Sequence, residues 1–131
     1  MNSPDRVSEG CLEAAHHMKE KREINTAVFR LTAGVLVPEA EANWTHEEVI
    51  QHLPRTEPRL LLHELSFAAP DGARRHEQLL IFWAPPGTSA QEDVYTAAYS
   101  TLKDLLPEVR VHLTARSSEH LAHRRLVALA G

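Results

Sequence analysis

The sequence lacks the features that would place it in a membrane, in a disulfide-bonded framework or among nucleotide-binding folds. Its longest apolar run, Leu79 to Pro86, falls far short of the roughly 20 residues that cross a bilayer. Its single cysteine, Cys11, cannot form an internal disulfide, which fits a reducing compartment. None of its five glycines belongs to a phosphate loop or a dinucleotide fingerprint. The polar start, Met1 to Arg6, predicts no secretory signal, so we expect a cytoplasmic protein.

The sequence also has no excess of positive charge. Eighteen acidic residues outnumber fourteen Lys and Arg residues, for a net charge of −4. Nucleic-acid binding through bulk electrostatics is therefore not expected. Apolar residues make up 43% and charged residues 24% of the chain, as in ordinary globular proteins. The length of 131 residues predicts one domain over 1–131.

Hydrophobic periodicity predicts helices that alternate with strands. Helices are expected over 8–20, from 45 to about 52, over 90–106 and after Ser117 or Ser118. Strands are expected over 24–31, 35–37, 59–67, 74–83 and 109–114. Pro38 should end the second strand, because proline cannot donate to a ladder. This order predicts an α/β (α+β) fold with a central mixed sheet of about five strands and helices on both faces.

The same pattern predicts helix caps and buried residues. Thr45 with Glu48, and Ser89 with Glu92, have the spacing of a capping box. Cys11 lies on an apolar helix stripe, which favours a buried, inert thiol. The last helix should bury Leu121, Leu126 and Leu129, and the long helix should bury a stripe of six residues: Val94, Ala97, Ala98, Thr101, Leu102 and Leu105.

No motif in the sequence indicates catalysis or a metal site. His120 and His123 are spaced i, i+3 on the last helix, but two ligands without a third do not make a metal site. Helix 45–52 begins like a zinc-protease helix and lacks the second histidine at position 50. We therefore expect no enzymatic activity, no cofactor and no metal. A small metal-dependent or hydrolytic enzyme that uses the histidines is the alternative from another class.

Short segments in a consistent order give the chain its resemblance to a known family. They are VSEG at 7–10, MK at 18–19, HLP at 52–54 before Arg59, LIFWAP at 80–85, VYTA at 94–97 and the apolar tail 126–131. Together they resemble the actin-depolymerising factor/cofilin family, and the most specific of them is the strand that ends in Trp-Ala-Pro. The resemblance implies the ADF-homology (cofilin/gelsolin-like) fold, and a monomer that binds actin monomers and filament sides and promotes filament severing and depolymerisation.

The resemblance also implies site residues by position. The implied monomer-binding surface is Ser3, Pro4, Asp5, Arg6, Gln91, Glu92, Asp93, Thr96, Tyr99, Ser100 and Lys103. The implied filament-binding surface is Arg74, Arg75, Arg124 and Arg125. Ser3 stands where the family has its inhibitory phosphoserine, whose added charge would oppose docking to actin.

The chain departs from the family at the start of the long helix, where the family has basic residues. Gln91, Glu92, Asp93 and Tyr99 occupy the matching positions, so we expect weakened monomer binding and weak or no phosphoinositide binding. The alternative within the fold is a protein like glia maturation factor, which binds the actin-branching complex and removes branches. Segments 21–27 and 53–59 favour that alternative.

Overall fold

The computed structural model describes residues 7–20 and 24–131. The elements in order are α1 (Glu9–Glu20), β1 (Thr26–Thr32), β2 (Val35–Ala42), α2 (His46–His52), β3 (Arg59–Ala68), β4 (Arg74–Trp83), α3 (Ser89–Leu105), β5 (Val111–Ala115), a 3₁₀ helix (Ser118–Leu121) and α4 (His123–Ala130). The predicted order of helices and strands is confirmed.

The strands form one mixed sheet in the order β2-β1-β3-β4-β5. Neighbours from β2 to β4 are antiparallel, whereas β5 runs parallel to β4. The parallel pair requires a long crossover, which α3 supplies. The central strand β3 is buried on both sides, which explains its nearly continuous apolar sequence.

Helices cover both sides of the sheet, as predicted. The first face packs against α1 and α3, through residues such as Leu62, Met18 and Leu102. The second face packs against α2 and α4, through residues such as Leu61 and Leu126. Leu61 and Leu62 are adjacent and fully buried on opposite faces, because successive side chains of a strand alternate.

The prediction that Pro38 ends the second strand is wrong. Strand β2 continues to Ala42 and bulges at this point, since Val28 pairs with Ala40 and Phe29 with Pro38. β2 is an edge strand of the sheet. A proline is tolerated at a bulge on an edge, where its missing N–H need not break the ladder.

One predicted cap is confirmed and one is wrong. The Glu48 N–H donates to Thr45 Oγ1 at 3.2 Å, and the Thr45 N–H donates to Glu48 Oε1 at 2.8 Å, which completes the capping box of α2. For α3 the N-cap is Thr88, not Ser89, and no side chain caps the helix. The Thr88 hydroxyl instead donates to the Pro85 carbonyl at 2.7 Å and closes the preceding loop.

The predicted burial of the long helix is right at its centre and wrong near its ends. Ala98 and Leu102 are fully buried, but Val94 and Leu105 are 44% and 45% exposed. Tyr95 is buried instead, because its hydroxyl accepts a hydrogen bond from the Leu31 N–H at 2.9 Å. This bond turns Tyr95 toward β1 and leaves its neighbour Val94 at the surface.

The burial prediction for the last helix fails at one residue. Leu121 and Leu126 are buried, as expected, whereas Leu129 is 53% exposed. Leu129 lies with Leu113 in a groove beside β5, and β5 is the last strand of the sheet. Within residues 7–20 and 24–131, no further strand lies beyond this edge to cover the leucine.

Candidate functional site

The outer face of α3 brings together most of the predicted monomer-binding residues. Helical spacing places five of them on this face: Glu92, Thr96, Tyr99, Ser100 and Lys103. Tyr99 packs against Phe82 with ring centroids 5.5 Å apart, and Lys103 Nζ lies 4.8 Å from the centre of the Tyr99 ring. Burial raises the pKa of Tyr99, so the phenol stays neutral. The face therefore has a packed aromatic centre with one cation above it.

The negative charge of Glu92 is compensated within the protein. Arg116 binds it in a bidentate pair, with Nη2 to Oε1 at 3.2 Å and Nη1 to Oε2 at 3.3 Å. The same Nη1 donates to the Ala84 carbonyl at 3.4 Å. Paired guanidinium and carboxylate groups of this geometry largely cancel each other's charge. The start of α3 is therefore less acidic than its sequence indicates, with Asp93 exposed beside the pair.

Gln91 is not part of this face. Gln91 and Val94 line a separate cavity of about 370 Å³ together with Arg30, Arg59 and Tyr95. Ser3, Pro4, Asp5 and Arg6 lie outside the described residues, and so does the predicted phosphorylation at Ser3.

Two surface residues on α3 escaped sequence reasoning. Val94 and Leu105 expose large apolar side chains near the two ends of the helix. The sequence contains two overlapping apolar stripes, one through Val94 and Leu105 and one through Tyr95 and Leu102. The signal that separates them is the tyrosine, whose hydroxyl needs a polar partner when it is buried.

The four arginines of the predicted filament surface are all exposed, but they do not all lie together. Arg75 pairs with Phe67 in the β3–β4 register, and Phe67 shares the core of the second face with Leu126 of α4. Arg75 is thus on the side of α4, whereas alternation places Arg74 on the opposite side. Arg124 and Arg125 stand on α4 itself.

The second face also holds one buried histidine, with two others close by. His63 is buried, and its Nδ1 lies 2.9 Å from Thr26 Oγ1. Burial, followed by the proximity of His46 and His123, lowers the pKa of His63 to about 4. The pKa of His46 is lowered mainly by burial and next by His123, whose ring centroid is 5.9 Å away. The lowered pKa values favour the neutral imidazole at His63 and His46.

The other chemical expectations concern metals and the thiol. Across residues 7–20 and 24–131, no three His, Cys, Asp or Glu side chains are arranged to hold a metal ion. His120 accepts a hydrogen bond at Nδ1 from the Arg116 N–H at 2.9 Å.

Cys11 is buried, burial raises its pKa, and its thiol donates to the Leu36 carbonyl at 3.3 Å. In the part of the chain described, no helix is long and apolar enough to span a membrane.

Comparison with known proteins identifies the family. A family model described as cofilin/tropomyosin-type actin-binding protein matches residues 5–128. The chain belongs to the cofilin family. Actophorin of Entamoeba histolytica is 28% identical over 108 residues, which are 77% of this chain and 76% of that protein. The family expected from the sequence is confirmed.

Solved structures confirm the cofilin fold at low sequence identity. Cofilin of Streptomyces griseoflavus superposes with a TM-score of 0.89 over 98% of this chain and 100% of its own, at 18% identity. Coactosin of Entamoeba histolytica superposes with a TM-score of 0.81 over 96% of this chain and 94% of its own, at 20% identity. Because proteins named cofilin and coactosin share this fold, the fold alone does not distinguish their activities.

Proposed function

We propose that this protein binds actin monomers through the outer face of α3, binds filament sides through a second surface, and severs and depolymerises filaments. Membership of an actin-binding family supports actin as the partner. The activity is one of stoichiometric binding and involves no covalent chemistry.

The observation that supports filament binding is the position of the two surfaces. The outer face of α3 stands on the first face of the sheet, whereas Arg75 and the arginines of α4 stand on the second. Two surfaces on opposite sides of one small domain can contact two subunits of a filament at once. A monomer would need only one of them.

The α3 surface has the composition of an interface centre. Tyr99 lies at its centre, with its ring packed on Phe82 and below Lys103, and the exposed Thr96 and Ser100 lie beside it. Aromatic and apolar residues held rigid in this way dominate interface energies. Because Arg116 compensates Glu92, repulsion from acidic actin is smaller than the sequence predicts.

Severing follows from binding if the bound filament differs in twist from the bare one. A bound protein shifts the equilibrium between the two filament twists only by the difference between its affinities for them. Boundaries between decorated and bare segments then hold the strain, and the filament breaks there. The arginines of the second surface are the groups that would distinguish a filament from a monomer.

Co-sedimentation with ADP-actin filaments, run beside native-gel binding to ADP-actin monomers, tests the proposal. The wild-type protein should bind both forms. Thr96→Asp should weaken both by about tenfold or more, since it places an unpaired charge on the outer face of α3. His16→Asp, on the exposed side of α1, is the matched control and should leave binding unchanged.

Two results would contradict the proposal. Binding that Thr96→Asp leaves intact would remove the outer face of α3 from the interface. Failure of the wild-type protein to bind either form, together with debranching of branched filaments, would support the alternative that resembles glia maturation factor.

A further inference from the structure

A groove of about 490 Å³ lies between the end of α2, the loop before α3 and the connection from β5 to the 3₁₀ helix. Apart from Arg116, which pairs with Glu92 of the α3 surface, its lining residues lie outside the two surfaces proposed above. The lining residues are Ile50, Gln51, Leu53, Arg55, Trp83, Pro85, Pro86, Arg116, Ser117 and Ser118. The volume falls in the range of sites that bind small ligands or a few peptide residues.

The floor of the groove is apolar and rigid. Leu53, Trp83 and Pro85 are buried, and the Trp83 indole N–H donates to the Pro54 carbonyl at 2.7 Å. This hydrogen bond satisfies the only donor of the indole and fixes the ring. The floor is therefore formed before any ligand binds.

The charge of the groove is opposite to that of the whole protein. The lining residues that ionise at neutral pH are Arg55 and Arg116. Because Glu92 compensates Arg116, Arg55 supplies the uncompensated positive charge, in a chain of net charge −4. Arg116 is held in place by Glu92 and the Ala84 carbonyl. Arg55 is exposed and has neither an ion pair nor a side-chain hydrogen bond to any residue that the structure describes.

We propose that this groove binds a short acidic segment of a partner protein. A carboxylate of the segment would pair with Arg55 beside Arg116, and a neighbouring apolar side chain would lie on Trp83 and Pro85. A peptide fits the lining better than a free phosphate does, because a phosphate would leave the apolar floor uncovered. The groove adjoins the α3 surface, since Arg116 lines the one and binds Glu92 of the other.

The probe for this site is the blocked peptide acetyl-Asp-Phe-Asp-amide, followed by NMR at the Trp83 indole. The chain has two tryptophans, so a Trp44→Phe variant assigns the two indole signals. The peptide should shift the Trp83 signal in a saturable manner, and added salt should weaken binding. Acetyl-Asn-Phe-Asn-amide should bind about tenfold more weakly, because it makes no charge-assisted bond to an arginine.

Arg55→Glu is the decisive variant, since Arg55 is exposed and holds no other group in place. It should abolish the saturable shift, whereas Arg74→Glu, an equally exposed arginine on the β3–β4 hairpin, should retain it. Equal binding of the two peptides, or retained binding by Arg55→Glu, would overturn the proposal. A shift of Trp83 by sodium phosphate that competes with the peptide would overturn it in favour of a phosphate site. No actin is present in this assay, so its outcome is independent of the actin proposal.

Discussion

The two faces of the sheet share the same strands but bury different chemistry. Under α1 and α3 the core is formed by aliphatic and aromatic side chains with one un-ionised thiol. Under α2 and α4 the buried set includes Thr26 and His63, with His46 and His123 close by. A core without groups that titrate near neutral pH keeps its stability as the pH changes, whereas buried imidazoles make stability depend on pH. The α3 surface thus rests on the pH-insensitive face, and α4 on the pH-sensitive one.

The largest expected effects come from adjacent leucines of β3 that face opposite sides. Leu61→Ala and Leu62→Ala should each lower the free energy of unfolding by about 2 to 5 kcal/mol, because each leaves a cavity in a fully packed core. Urea unfolding measures the loss, and hydrogen exchange locates it. Leu62→Ala should speed the hydrogen exchange of backbone amides in α1 and α3. Leu61→Ala should speed that of amides in α2 and α4. The same exchange pattern in both variants would show that the faces are not separate units.

The second-largest expected effect is a loss of folding stability at low pH. The pKa of His63 is about 4 in the folded protein, below its ordinary 6.5, so the unfolded chain binds more protons between these values. The contribution of His63 to the free energy of unfolding is therefore fully present above pH 6.5, falls as the pH drops toward 4 and changes no further below pH 4. Between pH 7 and pH 4.5 the loss should be about 2 kcal/mol. His46, whose pKa is also lowered, adds in the same direction.

His63→Gln isolates the contribution of the imidazole. The amide can keep a hydrogen bond to Thr26 Oγ1 but does not titrate, so urea midpoints should vary less between pH 7 and pH 4.5. His112→Gln, at an exposed position of β5, should keep the wild-type slope. If the urea midpoint of His63→Gln changed with pH as much as that of the wild type, another group would be the cause of the acid sensitivity.

Sequence reasoning recovered the elements and the sheet because those follow from local periodicity. The capping box at Thr45 is equally local, and it is confirmed. The failures depend on contacts between distant residues. Tyr95 turns α3 through a bond to Leu31, Pro38 is accommodated because β2 is an edge strand, and Leu129 lies beyond the last strand. None of these partners is visible within a helix or strand taken alone.

The candidate site, too, was predictable only where it depends on local spacing. Helical spacing places Glu92, Thr96, Tyr99, Ser100 and Lys103 on one face. Gln91, which was predicted with them, lines a separate cavity. Spacing could not show that Arg116, 24 residues after Glu92, would bind that carboxylate. Alternation along a strand puts Arg74 and Arg75 on opposite sides of the sheet, but which of them lies on the side of α4 depends on the register of β4 with β3.

A third effect tests the geometry of the filament surface. Arg75→Ala should lower affinity for ADP-actin filaments by about threefold to tenfold, as expected for loss of one interface charge. Arg74→Ala should change it by less, because Arg74 lies on the side away from α4. Co-sedimentation isotherms measure the difference, and native-gel binding to monomers should be unaffected in both variants. Equal losses would show that the hairpin acts through its total charge.

The smallest expected effect concerns the charge pair at the start of α3. Arg116 is half exposed, and exposed pairs contribute only about 0.2 to 1 kcal/mol. Glu92→Gln should therefore lower the free energy of unfolding by less than about 1 kcal/mol. Monomer binding should strengthen slightly, because the variant leaves Arg116 as an uncompensated cation facing acidic actin. Ser100→Ala, on the same helix face, is the neutral control in native-gel titration. Weaker monomer binding by Glu92→Gln would mean that the pair positions Arg116 for contact, and that compensating the charge matters less than holding the guanidinium in place.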